Sequence, residues 1–221
     1  VIFSSCSFWQ TAESEQNNSN TFTAEELRSE IPFENKEPEV FQAEIVLTNY
    51  LNGEKTERVI KAARSLGKLR YDYPNGSSFL QTGENEQFLI ETEKKIYAQS
   101  PTNADTSAQT GETLKDFLTT EWLNEKSDVR FENLGAENGL AKYRVKGENE
   151  NSEVIIYVDE NLKFPVKQEF YSINGEQRTI ISAMELRNLK LEVDESVFEL
   201  PKNYKQVSIQ EFQEEIRKKR S

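Results

Sequence analysis

The chain has 221 residues, 39 acidic against 27 basic, for a net charge of −12 and a hydrophobic fraction of 35 %. That balance argues against a nucleic-acid partner, whose phosphates require a basic stripe, while 13 Phe, 8 Tyr and 2 Trp in patterned runs supply a core. With no histidine and a single cysteine, this sequence excludes imidazole chemistry, His-ligated zinc, CxxC sites and an internal disulfide, and no cofactor is expected.

Val1 stands where a starting Met would, so an upstream segment is expected to have been removed. The opening Val1-Ile2-Phe3-Ser4-Ser5-Cys6 places an apolar run and two small residues before the cysteine. This resembles the end of a bacterial lipoprotein signal peptide, which implies that residues 1–6 carry the cleavage point and that Cys6 is the lipidation site. The other reading is that Cys6 is a small hydrophobe in a core. Residues 7–39 read as a polar tether with a short helix. Thr11–Thr21 is TAESEQNNSNT, too polar to form a core, and from Ser7 to Phe22 the chain reaches about 50 Å when extended. Thr23 and Glu26 have capping-box spacing, and Pro32 ends the helix they start. No run offers the ~20 apolar residues of a membrane span. The membrane would therefore be reached through an N-terminal lipid, multiply acylated because a single chain holds weakly.

The folded domain is expected over 40–221. Phe41, Ala43, Ile45, Leu47 and Leu51 alternate with polar residues, and Asn52-Gly53 follows as a tight hairpin turn. Short strands are expected at Val59–Ala63, Leu69–Tyr73, Ser78–Thr82, Gln87–Thr92 and Lys95–Gln99, with turns at Pro74-Asn75-Gly76 and Gly83-Glu84-Asn85. After a loop, Thr113 caps a mid-chain helix whose Leu114, Phe117, Leu118 and Trp122 share a face. Strands resume at Val129, Leu140–Val145 and Val154–Val158. Pro165–Ile173 and Gln177–Val193 then flank the hairpin signal Asn174-Gly175. A last helix starts at Ser208, with Glu211 completing a capping box and Ile209, Phe212 and Ile216 buried.

Hairpins without long crossovers imply an antiparallel sheet, and with two helices the class is α+β. Val154, Ile156 and Val158 oppose Ile155 and Tyr157, so the strand is apolar on both faces, and such a sheet needs cover on both. Curling around the Leu114–Trp122 helix would provide it and create an apolar interior suited to a ligand. Its candidate lining is Ile45, Leu47, Leu69, Tyr71, Leu89 and Ile156 from the sheet, with Phe117 and Trp122 from the helix. The helix stripe also reads as plain core.

Three segments resemble the carriers and receptors of bacterial lipoprotein sorting, the LolA/LolB-like family. Gly67–Pro74 (GKLRYDYP) is similar to that family's basic-aromatic strand, Glu91–Tyr97 (ETEKKIY) to its hairpin ending in an aromatic, and Phe198–Val207 (FELPKNYKQV) to its closing strand and Pro-containing turn. The resemblance spans roughly 40–207 and implies an unclosed antiparallel β half-barrel covered by a mid-chain helix and a C-terminal helix, holding acyl chains. It also implies a cavity-facing role for Arg70. Together with Cys6 it implies a lipid-anchored lipoprotein of the bacterial envelope, at the outer membrane facing the periplasm. The ligand would be an acyl chain, a lipid or a lipoprotein.

Other constellations carry less. Ser65-Leu66-Gly67-Lys68 matches a serine–lysine acyl-transfer spacing but lacks its companion motifs. Asp159-Glu160-Asn161 and Asp194-Glu195 offer oxygens for Ca²⁺, yet are also ordinary turn formers. The basic run Arg217–Arg220 suits either anionic headgroups or a helix C-terminus. Besides hydrophobic-ligand binding, two functions remain open: a non-catalytic envelope scaffold or sensor that binds a protein, which predicts an exposed apolar patch, and a carboxylate hydrolase, which predicts a polar cleft with paired acids. A non-enzyme is expected.

Overall fold

Period-2 alternation from Val40 draws out a long first hairpin, β1 (Val40–Leu51) with β2 (Glu54–Ser65), in unbroken register from Val40↔Ser65 to Leu51↔Glu54. The computed structural model describes residues 30–36, 38–83, 86–100, 120, 123, 129–147 and 151–220. Asn52 (φ 52°) and Gly53 (φ 84°) both take the left-handed conformation that a two-residue hairpin turn demands. The expected strand at Val59 begins five residues earlier, because Glu54–Arg58 pair fully with β1 although their polar side chains give no alternation.

The chain continues as β3 (Lys68–Asp72), β4 (Ser77–Gly83), β5 (Glu86–Glu91) and β6 (Ile96–Ser100), each antiparallel to the strand before it. A second meander follows: β7 (Arg130–Glu137), β8 (Leu140–Lys146), β9 (Ser152–Asp159), β10 (Pro165–Asn174) and β11 (Gln177–Lys190). The β10–β11 loop is Gly175-Glu176, closed by the pair Asn174↔Gln177 with only Gly175 at positive φ (59°), so the turn sits one residue beyond Asn174-Gly175. β11 returns to pair with β1, joining the two meanders at the centre. The described residues form one unclosed twelve-stranded sheet, bounded by β7 at one edge and by β12 (Lys205–Gln206) at the other.

A 3₁₀ turn, Glu195–Phe198, leads into the segment resembling a closing strand and Pro-containing turn, whose strand is short: the two-residue β12, parallel to β6. Pro201 has no N–H for a ladder, and its carbonyl accepts from Tyr204 N in a turn. The helix expected from Ser208 forms as α1 (Ile209–Arg220), and Ser208 Oγ accepts from Glu211 N at 3.2 Å. The apolar stripe of the mid-chain helix, the Thr23 capping box, Cys6 and residues 7–29 of the tether lie outside the described residues, whereas Ile31 and Phe33, within the segment expected as tether, pack on the inner face beside Phe131.

Antiparallel partners share a face, so the row Ile156–Gln168–Met184–Leu47 carries one inner face across both meanders. On it Phe41, Ile45, Ile60, Phe79 and Leu89 pack with Phe212 of α1, and Phe131, Val145, Ile156 and Val158 form a second cluster with Leu123. Ile45, Ile60 and Ile156 are fully buried, each contributing about 1.5–3 kcal/mol.

The outer face finds cover by two means. Over β2–β6 the segment 193–204 lays Phe198, Val197 and Leu200 onto Leu80, Phe88 and Ile90. Over β8–β11 the cover is polar. Ile155 is buried among long side chains that lay apolar stems over it: Tyr157 and Tyr171 donate to Glu169 (2.8 and 2.6 Å), Lys167 pairs with Glu169 at 2.6 Å, and Glu153 pairs with Arg178 and, at 3.3 Å, with Arg144. Burial first, then the bonds to Glu169, pushes the Tyr171 hydroxyl up to about 12. Burial alone would raise Glu169, but Lys167, Tyr171 and Tyr157 hold its carboxyl below the usual range.

Candidate ligand-binding cleft

α1 lies against the inner face with Phe212 and Ile216, at i and i+4, directed to the sheet. Its second half is tied to the β5–β6 turn by Lys94 Nζ, which donates to Glu215 O (2.9 Å) and Glu215 Oε2 (2.5 Å). Between this helix and the β3–β4 turn a cleft of about 530 Å³ opens. Phe79 and Leu89 form its floor and Phe212 and Ile216 its roof. Phe79 is backed by Tyr71, the two rings stacked at 6.4 Å. Tyr73 and Pro74 form the rim, shaped by Gly76 (φ 85°) and by Asn75 Oδ1, which accepts from Ser77 N at 3.1 Å and Ser77 Oγ at 2.9 Å. Arg58 of β2 and Arg217 of α1 also line it.

Ile45, Leu47, Leu69, Tyr71, Leu89 and Ile156 share the inner face. Only Leu89 touches the cleft itself; Ile45, Leu47, Leu69 and Tyr71 belong to the core beneath, and Ile156 belongs to the second cluster. Arg70 stands on the other face. Its register with Ala63 turns it outward, where it donates to Val197 O at 2.9 Å and Asp72 Oδ1 at 2.9 Å and so pins the covering segment. There it lines a shallower groove of about 320 Å³ with Glu44, Lys61 and Lys190, mixed in charge. Phe117 and Trp122 lie outside the described residues. Sequence reasoning placed Phe212 and Ile216 on a buried face but did not join them to Phe79 and Arg58, since nothing local says where α1 docks.

Ser65 Oγ donates to Glu195 Oε1 at 2.8 Å and Lys68 Nζ to Glu195 Oε2 at 2.5 Å, so the serine and lysine share a carboxylate rather than a proton. The two bonds hold Glu195 below the ordinary carboxylate range. Asp159 Oδ1 accepts from Asn161 N and Leu162 N, and Asp194 Oδ1 from Ser196 N, both as turn formers. Among the described residues no group of three or more His, Cys, Asp or Glu is arranged to hold a metal ion.

No family model matches the chain, and no curated protein sequence matches it. Among solved structures, an uncharacterized conserved protein from Thermus thermophilus is similar at 12 % identity and a TM-score of 0.43, covering 77 % of this chain and 91 % of that one. A DUF1329 family protein from Desulfovibrio piger is similar at 10 % identity and a TM-score of 0.35, covering 73 % and 90 %. A LolA superfamily protein from Nitrosomonas europaea is similar at 11 % identity and a TM-score of 0.32, covering 74 % and 91 %.

Proposed function

We propose that this chain binds a hydrophobic ligand, an acyl chain of a lipid or lipoprotein, between its sheet and its C-terminal helix, and that it does so without catalysis. The observation that carries the reading is the cleft: about 530 Å³, with Phe79, Leu89, Phe212 and Ile216 as its apolar walls. That is within the ~300–1,000 Å³ of ordinary small-molecule sites. In the same reading Cys6 carries the lipid that holds the protein in the bacterial envelope, at the outer membrane facing the periplasm. A scaffold or sensor would need a contiguous exposed apolar patch. Among the described residues the two most exposed leucines, Leu51 (72 %) and Leu66 (76 %), sit at opposite ends of β2.

Native mass spectrometry of the protein taken from its own envelope tests the reading. A bound acyl species is expected, and it should be lost in Leu89→Trp, which fills the floor. Consistent absence of any such species, with no acyl binding by the purified protein, would overturn it. A Cys6→Ser variant is expected to lose the lipid mass and partition away from membranes.

A further inference from the structure

We infer that the cleft selects a single-chain amphiphile with an anionic, oxygen-bearing head, carboxylate or phosphate; this rests on the hydrophobic-ligand reading and sharpens it. The charge of the lining is the reverse of the charge of the protein. Acidic residues are 39 of 221 and the net charge is −12, yet among the described residues none of the thirteen that line the cleft is Asp or Glu, and two are arginines. Several carboxylates that adjoin the lining in sequence have partners of their own, Glu57 with Lys55 and Glu211 with Lys205 among them. Asp72 accepts from Ser78 Oγ at 2.6 Å and Arg70 Nε at 2.9 Å, Glu215 pairs with Lys94 and Lys218, and buried Glu91 accepts from Glu93 N.

The two lining arginines each lie where their element leaves the core. Arg217 follows Phe212 by five residues, about 7 Å along the helix axis, in its exposed last turns, whereas Phe212 is buried. On β2, Arg58 precedes fully buried Ile60 by two residues on the same face, and the strand before it is exposed. Both therefore mark the passage from core to solvent. A tail lying between Phe212 and Leu89 brings its head to the guanidiniums. A guanidinium has five donors in a planar fork that matches a carboxylate or phosphate, so it can take an oxyanion while keeping another contact. The α1 C-terminus carries partial negative charge and opposes an anion. Binding of the head must then come from the arginines, which makes it sensitive to salt.

The test titrates the full-length protein with palmitate, hexadecyl phosphate, hexadecanol and hexadecyltrimethylammonium as monomers. These share one tail and differ in the head. The expected result is a preference of about ten-fold or more for one or both anions over hexadecanol, the scale of a charge-assisted hydrogen bond. Tighter palmitate or tighter hexadecyl phosphate identifies which oxyanion is favoured. The ratio should fall toward one in the Arg58→Gln/Arg217→Gln double variant, with folding checked by circular dichroism. It should also fall with added salt in the unaltered protein, a measurement that needs no variant. Equal binding of hexadecanol or of the cation overturns the anionic head but leaves the hydrophobic-ligand reading standing. Binding of none of the four overturns both.

Discussion

Leu66 occupies the first position of the β2–β3 turn at φ 45°, followed by Gly67 at φ 86°, and is 76 % exposed. A leucine there bears the left-handed cost of roughly 1 kcal/mol that asparagine largely escapes. Leu66→Asn would reproduce the Asn-Gly chemistry of the neighbouring β1–β2 turn. It is expected to raise stability by about 0.5–1 kcal/mol in urea unfolding; a lower midpoint would show that the leucine makes a contact worth more than the strain. Glu215 offers a pH dependence. Its bonds to Lys218 and Lys94 pull the carboxyl from its ordinary 4.5 down to about 2. A depressed pKa stabilises the fold fully above the unfolded value and loses that stabilisation as pH falls through the folded one. The docking of α1 should therefore weaken between pH 4.5 and 2, and Glu215→Gln should flatten the stability profile in that window alone. An unchanged profile would mean that these pairs do not couple the helix to the sheet.

At the scale of elements, the 193–204 segment shows how a short irregular stretch finishes a sheet. Arg70 holds Val197 O, Lys68 and Ser65 hold Glu195, and Phe198 is 4 % exposed above Leu80. Phe198→Ala removes the one fully inserted side chain of the 3₁₀ turn and is expected to cost about 3–5 kcal/mol. Limited proteolysis should then cut between 193 and 204 before the rest of the chain unfolds. Resistance there equal to the unaltered protein would show that the polar ties suffice. Arg70 was legible in the sequence as a special position within GKLRYDYP, but its face was not. A strand's alternation says which residues travel together and leaves open which set meets the core, and here both faces of β3 are partly buried.

Across the whole molecule, the centre of the sheet is its least local pairing. β1 meets β11, with Thr48 opposite Ala183, and β1 is flanked by strands on both sides. Folding must close that long loop before the two meanders share a sheet, so refolding is expected to be slow for the chain's size. Amide exchange should be slowest in β1, β2 and β11 and fastest at the edges β7 and β12. Exchange in β1 as fast as in β7 would contradict the central pairing. Strand identity, the turns at Asn52-Gly53 and Pro74-Asn75-Gly76, and the Ser208 cap were all readable beforehand, because each depends on φ preferences and side-chain periodicity within about ten residues.

What the amino-acid order determined by itself was therefore a string of hairpins, a C-terminal helix with one apolar stripe, and the exclusion of imidazole chemistry and of an internal disulfide. Only tertiary structure decided that α1 would settle over Phe79 and Leu89, that Arg58 and Arg217 would line the same cleft, and that Arg70 would face outward to hold a strap. Those outcomes depend on which distant surfaces bury the most apolar area together. That is a property of the assembled sheet, and no stretch of ten residues contains it.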